Sequence, residues 1–338
     1  MKFAFIIPLY NRPDELDELL QSLVNQTSDN FSVTVVEDGS EKTGENVIKK
    51  YTEKLTINYY KKDNSGPGLT RNYGAERTEA DYLIFVDSDC IIPPQYIETV
   101  DIETSKSNCD AFGGPDASLS SFTPVQKAIG YAMTSFFTTG GIRGGGEKAE
   151  KFHPRSFNTG IKKSVFRALD GYSDMRFGED IDFSIRIMEA GYKTQLIKSA
   201  FVYHKRRTDF KKFFKQIFNS GCARINLYKR HKNSLKLVHF LPAAFLSGNI
   251  FVITAAVVLG LIFNVQIGLM CLTPLFLYAL LIFTDSTIKN GFKTGLLSMP
   301  AAWIQLCGYG AGFFKAVAMR LILKKQSDTT GFVKNFYK

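Results

Sequence analysis

Two carboxylates separated by one residue, Asp87-Ser88-Asp89, follow directly after the apolar run Leu83–Val86. Such a run is typical of a buried strand in a parallel sheet, whose ligands bind at the carboxyl ends of the strands. Carboxylates this close repel each other unless a positive charge lies between them. A divalent cation, Mg²⁺ or Mn²⁺, held by carboxylates together with phosphate oxygens meets that need. The pattern predicts a cation site with Asp89 and Asp87 as ligands; an ordinary Asp-containing turn is the alternative.

Other charged residues lie where further strands end or helices begin. Asp38 ends a second apolar strand, and Arg71 lies in a helix opened by Gly66-Pro67-Gly68. An acidic contact to a base and a cationic contact to phosphate are therefore expected at the same edge of the sheet. The pair Glu179-Asp180 begins an amphipathic helix, where it is either functional or an ordinary complement to the helix dipole. His204 ends another strand-like run and is a further candidate cation ligand, although a lone His is more often structural.

The elements that must position these residues alternate between strands and helices. Four apolar runs predict strands, and capping or glycine–proline signals between them predict helices. The predicted strands are Phe3–Pro8, Val33–Glu37, Ile57–Lys61 and Tyr82–Val86, with helices beginning at Asn11, Glu45 and Gly66. The order βαβαβαβ indicates an α/β domain with a parallel sheet. Farther along the chain, Asn158-Thr159-Gly160 is predicted to be a turn, and residues 140–146 a glycine-rich lid or a simple loop.

The 338 residues divide into two parts of unlike charge. Residues 1–200 carry 23 Lys and Arg against 29 Asp and Glu, whereas residues 201–338 carry 19 against three. The apolar content of 45% excludes a disordered chain. Five scattered Cys without a CxxC pair exclude a disulfide-stapled scaffold and a cysteine zinc ribbon. Basic residues beside apolar runs are typical of the cytoplasmic face of a membrane.

Three uncharged apolar runs lie in the basic part, and each is about as long as a membrane-spanning helix. They are Leu237–Phe263, Val265–Phe283 and Gly295–Phe314. The first two are predicted to form a helical hairpin over residues 237–283 with both ends in the cytosol, because cations flank the pair. The third, over residues 295–323, is predicted either to cross the membrane or to re-enter it. Buried helices of a soluble protein are the alternative.

Four regions are predicted along the chain: an acidic domain at residues 1–203, a basic segment at 204–236, a membrane domain at 237–325 and a tail at 326–338. The basic segment carries 11 Lys and Arg against Asp209, interleaved with Phe, which predicts a helix on anionic lipid headgroups. The apolar N-terminal run is too short for a signal peptide. The acidic domain is therefore expected in the cytoplasm, anchored at the plasma membrane (the inner membrane of a cell that has two).

Six short motifs, in their order along the chain, together resemble glycosyltransferase family 2. They are Phe5-Ile6-Ile7-Pro8-Leu9-Tyr10-Asn11, Glu37-Asp38-Gly39-Ser40, Arg71-Asn72, Asp87-Ser88-Asp89, Asn158-Thr159-Gly160 and Glu179-Asp180. The resemblance covers residues 1–232. It implies the GT-A fold, a Rossmann-like nucleotide-sugar-binding α/β domain, here followed by C-terminal transmembrane helices. It also implies a metal-dependent enzyme that transfers a sugar with inversion from a nucleotide donor, for which we expect a UDP-linked sugar.

The same resemblance implies a role for each motif. Asp38 would read the base, the DXD motif would hold the cation, and Asp180 would be the catalytic base with Glu179 beside it. The nucleotide-sugar-binding residues would be Pro8, Tyr10, Glu37, Asp38, Arg71, Asp87 and Ser88, with Asp89, Asp87 and His204 as cation ligands. Contacts to the acceptor or to phosphate are expected from Arg143, Asn158 and Arg224.

The sequence departs from the family pattern at two places. Glu37 stands where Asp is commoner, which leaves the base-reading position intact. The QxxRW motif of processive polysaccharide synthases is missing, and Gln216 and Arg224 stand in its region, so synthesis of long polymers is not expected. Because a membrane-anchored domain should act on something held in that membrane, the expected acceptor is a lipid-linked saccharide in cell-surface polysaccharide or glycolipid assembly.

Three alternatives remain open from the sequence. Direct transfer to polyprenyl phosphate needs no base, since that acceptor is already anionic, and the Glu179-Asp180 pair argues against it. A basic membrane-anchored binding protein without catalysis, for example one that binds nucleic acid, leaves the carboxylate motifs unexplained and has no recognisable binding module; no nucleic acid partner is expected. A nucleotidyltransferase would need a glycine-rich N-terminal loop, which is absent.

Overall fold

The computed structural model describes residues 1–117, 122–140, 154–205 and 207–324. These residues form two compact units, one of residues 1–117 and 154–205, the other of residues 122–140 and 207–324. Residues 122–140 interrupt the predicted acidic domain in sequence but belong to the second unit. The predicted loop at 140–146, including Arg143, lies outside the described residues except for Gly140, and so does the tail.

Ten strands lie in the described part of the first unit. They are β1 (Phe3–Leu9), β2 (Phe31–Asp38), β3 (Ile57–Lys62), β4 (Tyr82–Phe85), β5 (Cys90–Ile91), β6 (Ala111–Gly113), β7 (Asp116–Ala117), β8 (Thr159–Lys162), β9 (Thr194–Leu196) and β10 (Val202–His204). The helices of this unit are α1 (Pro13–Val24), α2 (Glu45–Lys49), α3 (Pro67–Glu76), α4 (Tyr96–Ser107), α7 (Lys163–Ala168) and α8 (Glu179–Glu189). The helices between α4 and α7 and those after α8 belong to the second unit and are described with it below.

A mixed seven-stranded sheet in the order β3-β2-β1-β4-β8-β6-β9 forms the centre of the first unit. β1 to β4 are parallel, as predicted, and β8 runs antiparallel to both of its neighbours. Side chains of β1 alternate between two cores: Phe3, Phe5, Ile7 and Leu9 enter one, and Ala4 and Ile6 the other. Both faces of β1 are therefore buried, which explains its continuous apolar run, whereas β3 at the edge of the sheet is only partly buried.

Two local predictions in this unit are wrong. Thr159 and Gly160 do not form a turn but begin β8, where Thr159 pairs with Phe85; a strand of four residues is too short to show a periodic signal. Asn11 does not cap α1, because the cap position is Arg12. The Asn11 side chain instead accepts hydrogen bonds from the backbone N–H groups of Glu41 and Lys42, at 2.7 and 2.9 Å.

The described residues of the second unit form helices and the short segments that connect them. Its α-helices are α5 (Pro124–Thr134), α6 (Phe136–Thr139), α9 (Phe210–Arg230), α10 (Leu241–Ile262), α11 (Val265–Cys271), α12 (Thr273–Asn290), α13 (Phe292–Trp303) and α14 (Tyr309–Val317). Two π-helical segments, Ile304–Gly308 and Ala318–Ile322, flank α14. α5, α9 and α13 share an apolar core that includes Ile129, Phe213 and Ala301.

The predicted apolar segments differ in how far the structure supports a membrane span. One described helix, Leu237–Ile262, is long and apolar enough to cross a bilayer. The predicted second arm consists of α11 and α12, which bend by 45° and together meet the same test. The third segment is helical but does not meet it, because Gln305, Pro300 and several glycines lower its hydropathy. Length and composition alone are weak evidence for membrane insertion.

Candidate functional site

Arg71 is the point at which three of the sequence motifs meet. The residue lies one turn into α3, is almost wholly buried, and carries a guanidinium stacked 5.4 Å from the centre of the Tyr172 ring. Its Nη2 is 2.5 Å from Asp87 Oδ1, and its Nη1 is 3.3 Å from Glu179 Oε1. Burial lowers the pKa of Arg71, but Asp87, Tyr172 and Glu179 outweigh it and raise the pKa above its ordinary value. A permanent cation is therefore fixed between the DXD motif and α8.

Glu179 and Asp180 lie in the first turn of α8, after Gly178 with φ of +84°. Glu179 is buried, and burial together with the charge of Asp180 raises its pKa to about 7, against the opposing effect of Arg71. The Asp180 carboxylate is more open, 19% exposed, and its Oδ2 lies 3.5 Å from Arg155 Nη1. Neighbouring carboxyl groups in such different surroundings suit different roles. Asp180 is the more accessible of the two for proton transfer.

Asp89 and His204 are brought together by the pairing of β5 with β10, in which His204 lies opposite Cys90. Asp89 Oδ1 is 3.1 Å from His204 Nε2, and Asp89 Oδ2 is 2.5 Å from Arg12 Nη1. Ligand atoms of Asp89, Cys90 and His204 all lie within 4.8 Å of one another. Burial, with the charges of Asp89 and Asp87, raises the pKa of the Cys90 thiol well above its usual range. Cys90 therefore stays a neutral thiol, which hard cations do not prefer.

The residues at this position fit a divalent cation. A carboxylate oxygen and an imidazole nitrogen lie side by side, and the buried Nδ1 of His204 has no hydrogen-bond partner among the described residues. Asp89 and His204 are the protein ligands that the geometry offers. Asp87, the third predicted ligand, directs Oδ1 to Arg71 instead and lies outside the three-residue cluster.

Asp38 organises the loop between β3 and α3. Its Oδ1 accepts from Lys62 Nζ at 2.6 Å and from the Ser65 N–H at 2.8 Å. Its Oδ2 accepts from the Gly66 N–H at 2.9 Å and from Asn64 Nδ2 at 3.2 Å. A carboxylate has about four acceptor positions, so donors of the protein itself use the full capacity of Asp38. For Asp38 to contact a nucleotide base as predicted, one of these hydrogen bonds must break.

The remaining nucleotide-binding candidates surround this loop or the DXD motif. Glu37 is buried and accepts from the Gly44 N–H at 2.8 Å and from the Tyr59 hydroxyl at 2.6 Å, which is a structural arrangement. Pro8 and Tyr10 are half-buried at the end of β1. Pro8 pairs in the sheet with Val36, and Val36 is two residues before Asp38 in the sequence. Ser88 is buried between the two carboxylates of the motif.

The three candidates for acceptor contact lie in different parts of the chain. Asn158 is fully buried, accepts from the Tyr96 hydroxyl at 2.6 Å and donates to the Ala200 carbonyl at 2.8 Å. Its side chain braces β8 against α4, so its proposed contact with a ligand has no geometric support. Arg224 lies on α9 in the second unit, where its Nε donates to the Tyr309 hydroxyl at 3.4 Å. Arg143 is outside the described residues.

The sequence reasoning missed four residues of the site. Arg12 neutralises Asp89 and Lys62 neutralises Asp38, and each lies within four residues of a predicted strand end, a position that marks them in retrospect. Arg155 contacts Asp180, and Tyr172 contacts Arg71. Both lie in loops that carry no sequence signal. The Tyr172 hydroxyl is buried without a hydrogen-bond partner among the described residues, and burial raises its pKa, so it stays protonated.

Two family models match the chain. Residues 4–169 match Glycosyl transferase family 2, and residues 156–284 match Glycosyl transferase family group 2. The minor teichoic acid biosynthesis protein GgaB of Bacillus subtilis is 26% identical over 213 residues, which are 61% of this chain and 23% of GgaB. Poly(ribitol-phosphate) beta-N-acetylglucosaminyltransferase TarP of Staphylococcus aureus is 30% identical over 132 residues, 38% of this chain and 40% of TarP.

These relatives are longer than the region of similarity. The chain therefore spans less than half of the length of each of these curated relatives. Among solved structures, the mannosyltransferase PcManGT from Pyrobaculum calidifontis, determined with GDP-Man and Mn²⁺, superposes with a TM-score of 0.55 at 13% identity. The superposition covers 96% of this chain and 88% of PcManGT. It confirms the predicted GT-A-like α/β fold.

Proposed function

The chain contains glycosyltransferase family 2 domains, and on that premise we propose that it transfers a sugar from a nucleotide-sugar donor, UDP-linked, to a hydroxyl group of a membrane-held acceptor. The reaction inverts the anomeric centre. The observation that carries the proposal is the meeting of the DXD motif, α3 and the Glu179-Asp180 pair at one buried guanidinium, that of Arg71.

The chemistry requires opposite charges to be stabilised at two places. Positive charge develops on the sugar and negative charge on the departing diphosphate as the glycosidic bond breaks. Asp180 accepts the proton of the acceptor hydroxyl as it attacks the opposite face of the sugar. Arg155 holds the Asp180 carboxylate in place, and Glu179, tied to Arg71, fixes the start of the helix that presents it. Because Glu179 is half protonated near pH 7, it limits the repulsion between the two carboxyl groups.

Divalent-cation dependence belongs to the same proposal. Asp89 and His204 would hold the ion, which neutralises the charge of the leaving diphosphate when bound. Arg12, bonded to Asp89, balances the carboxylate charge. The Mn²⁺ in the PcManGT structure is consistent with such a site.

The acceptor we propose is a lipid-linked saccharide used in cell-surface polysaccharide or glycolipid assembly. Support comes from the apolar helix Leu237–Ile262, from the basic segment 204–236, and from the teichoic acid and poly(ribitol-phosphate) functions named for GgaB and TarP. The catalytic domain, residues 1–203, would lie on the cytoplasmic side of the plasma membrane, with residues 237–325 in the bilayer. Direct transfer to polyprenyl phosphate is disfavoured because it leaves Asp180 without a proton to accept.

A nucleotide-sugar screen tests this function. The purified full-length protein, in neutral detergent, is titrated with UDP-, GDP- and dTDP-sugars in the presence of Mn²⁺, Mg²⁺ or a chelator, and the midpoint of thermal unfolding is measured. A rise for one UDP-sugar that needs the cation supports the proposal. If no nucleotide sugar raises the midpoint under any condition, the chain lacks a donor site and the proposal fails.

A further inference from the structure

The second unit has a large excess of positive charge that its own carboxylates do not balance. Among its described residues, 15 Lys and Arg accompany only Asp209 and Asp285. Asp209 caps α9, accepting from the Lys212 N–H at 2.7 Å, and Asp285 lies 2.8 Å from Lys289. Arg224 is 15 residues beyond Asp209, about 22 Å along the helix at 1.5 Å per residue. Asp209 is therefore too far away to pair with Arg224, and the partners of Asp285 are Lys289 and Tyr131.

Arg224 is held at the contact between two helices whose backbones touch. A Cβ atom added to Gly221 of α9 would lie 2.2 Å from the Tyr309 carbonyl oxygen, and one added to Gly312 of α14 would lie 2.0 Å from that of Phe218. This close approach fixes the side chains on either side of the contact. Arg224 Nε donates to the Tyr309 hydroxyl oxygen at 3.4 Å, which leaves the Tyr309 hydroxyl proton available to another acceptor.

A short 3₁₀ helix, Leu237–Phe240, leads into α10 and adds further donors, with Lys236 at its start. The Phe240 ring packs edge-on against Phe313 of α14, with centroids 5.2 Å apart. Within this turn the Lys236 N–H donates to His239 Nδ1 at 2.9 Å, so that the neutral imidazole carries its proton on Nε2 and donates from there. The positive charges of Arg224 and Lys236 both act on the His239 ring. Ile225, Leu235 and Tyr309 belong to one apolar cluster, so the side chains of Arg224, Lys236, His239 and Tyr309 extend from the same region of the unit.

Exposed apolar side chains lie directly beside these donors. Leu237 is 87% exposed and Leu241 is 60% exposed, and both belong to the helix that is apolar enough to enter a bilayer. A ligand that satisfies both features has an anionic head and a hydrocarbon chain. The two permanent cations match a head with two or more negative charges, such as a phosphate monoester or a diphosphate, better than a phosphodiester, which carries one.

We propose that Arg224, Lys236, His239 and Tyr309 bind the phosphate monoester or diphosphate head group of a membrane lipid. The lipid chain follows the exposed face of α10 from Leu237 and Leu241. That this head group is part of a glycosyl acceptor rests on the proposed function. The acceptor would then be anchored on the second unit. The binding itself involves no catalytic residue.

The test is binding of dodecyl phosphate to the full-length protein in neutral dodecyl maltoside micelles, followed by native mass spectrometry. Inorganic phosphate, pyrophosphate and dioleoyl phosphatidylglycerol are measured in parallel. The double variant Arg224→Gln/Lys236→Gln should bind dodecyl phosphate about 30-fold more weakly, since each cation near an anionic headgroup contributes about five- to sixfold. Tyr309→Phe, which keeps the helix contact, should weaken binding less. The matched control Lys293→Gln, an exposed cation of the same unit, should not change it.

Three results would overturn the assignment: a double variant that binds like the parent, a control that weakens binding equally, or inorganic phosphate bound as tightly as dodecyl phosphate. Phosphatidylglycerol bound as tightly as dodecyl phosphate would refute the monoester or diphosphate preference. Donor binding, measured on the same samples, separates the two proposals. Loss of lipid binding with an unchanged UDP-sugar response supports the site, whereas a protein that binds the lipid but no nucleotide sugar refutes the proposed function alone.

Discussion

Glu179→Gln should make the stability of the first unit less dependent on pH. Folding raises the pKa of Glu179 from 4.5 to about 7, mainly by burial and then by the charge of Asp180. The folded protein therefore keeps a proton on Glu179 at pH values where the unfolded chain has lost it. The stabilisation from this proton is complete below pH 4.5 and is lost as pH rises towards 7. At about 1.4 kcal/mol for each pH unit, the loss is roughly 3 kcal/mol.

Glutamine cannot ionise, but its side-chain oxygen can still accept from Arg71. The variant should therefore equal the parent near pH 4.5 and exceed it in stability near pH 7.5. Because the one Trp is Trp303, in the second unit, fluorescence does not report on this site. The local stability is instead measured by urea-dependent hydrogen exchange of peptides from α3 and α8, followed by mass spectrometry at pH 4.5, 6 and 7.5.

The matched control is Glu189→Gln, which removes an exposed carboxylate from the same helix. It should leave the pH dependence of the parent unchanged. Equal pH slopes for the parent and Glu179→Gln would refute the reasoning.

Three further substitutions test separate parts of the account. Asp180→Asn should keep donor affinity, measured by calorimetry, and lower the single-turnover transfer rate by about 10²- to 10⁴-fold; an unchanged rate would exclude Asp180 as the base. Asp89→Asn should abolish the divalent-dependent part of donor binding, and retained dependence would place the ion elsewhere. Asn158→Ala should cost roughly 1–3 kcal/mol of unfolding free energy, because the Tyr96 hydroxyl and the Ala200 carbonyl lose their partner; a neutral effect would contradict the bracing role.

The sequence was sufficient for the parallel half of the sheet, because β1, β2 and β4 carry apolar runs that are largely buried. β3 is only partly buried, and its prediction depends on the alternation of strands and helices. The antiparallel part was not predictable in the same way. β8 and β6 have only four and three residues, and their placement depends on pairing with distant strands. Residues 122–140 pack with the C-terminal helices through Ile129 and Met133, a tertiary contact without a local signal.

For the site, the sequence predicted the carboxylates better than their partners. Strand ends and a helix start identified Asp38, Asp89 and the Glu179-Asp180 pair. Which cation meets which carboxylate follows from register and loop path, as the His204–Cys90 pairing illustrates. Asn158, a predicted contact to the acceptor or to phosphate, lies within a family motif but is buried, and its amide is hydrogen-bonded to Tyr96 and to the Ala200 carbonyl.

The stereochemistry of donor cleavage tests the central claim most directly. With water as acceptor, the purified protein is incubated with the UDP-α-sugar that stabilises it, and the first anomer released is followed by ¹H NMR before mutarotation. A single displacement assisted by Asp180 predicts the β-anomer as the initial product, lost in Asp180→Asn. Initial release of the α-anomer would contradict the account, because it requires retention and hence a different use of the Glu179-Asp180 pair.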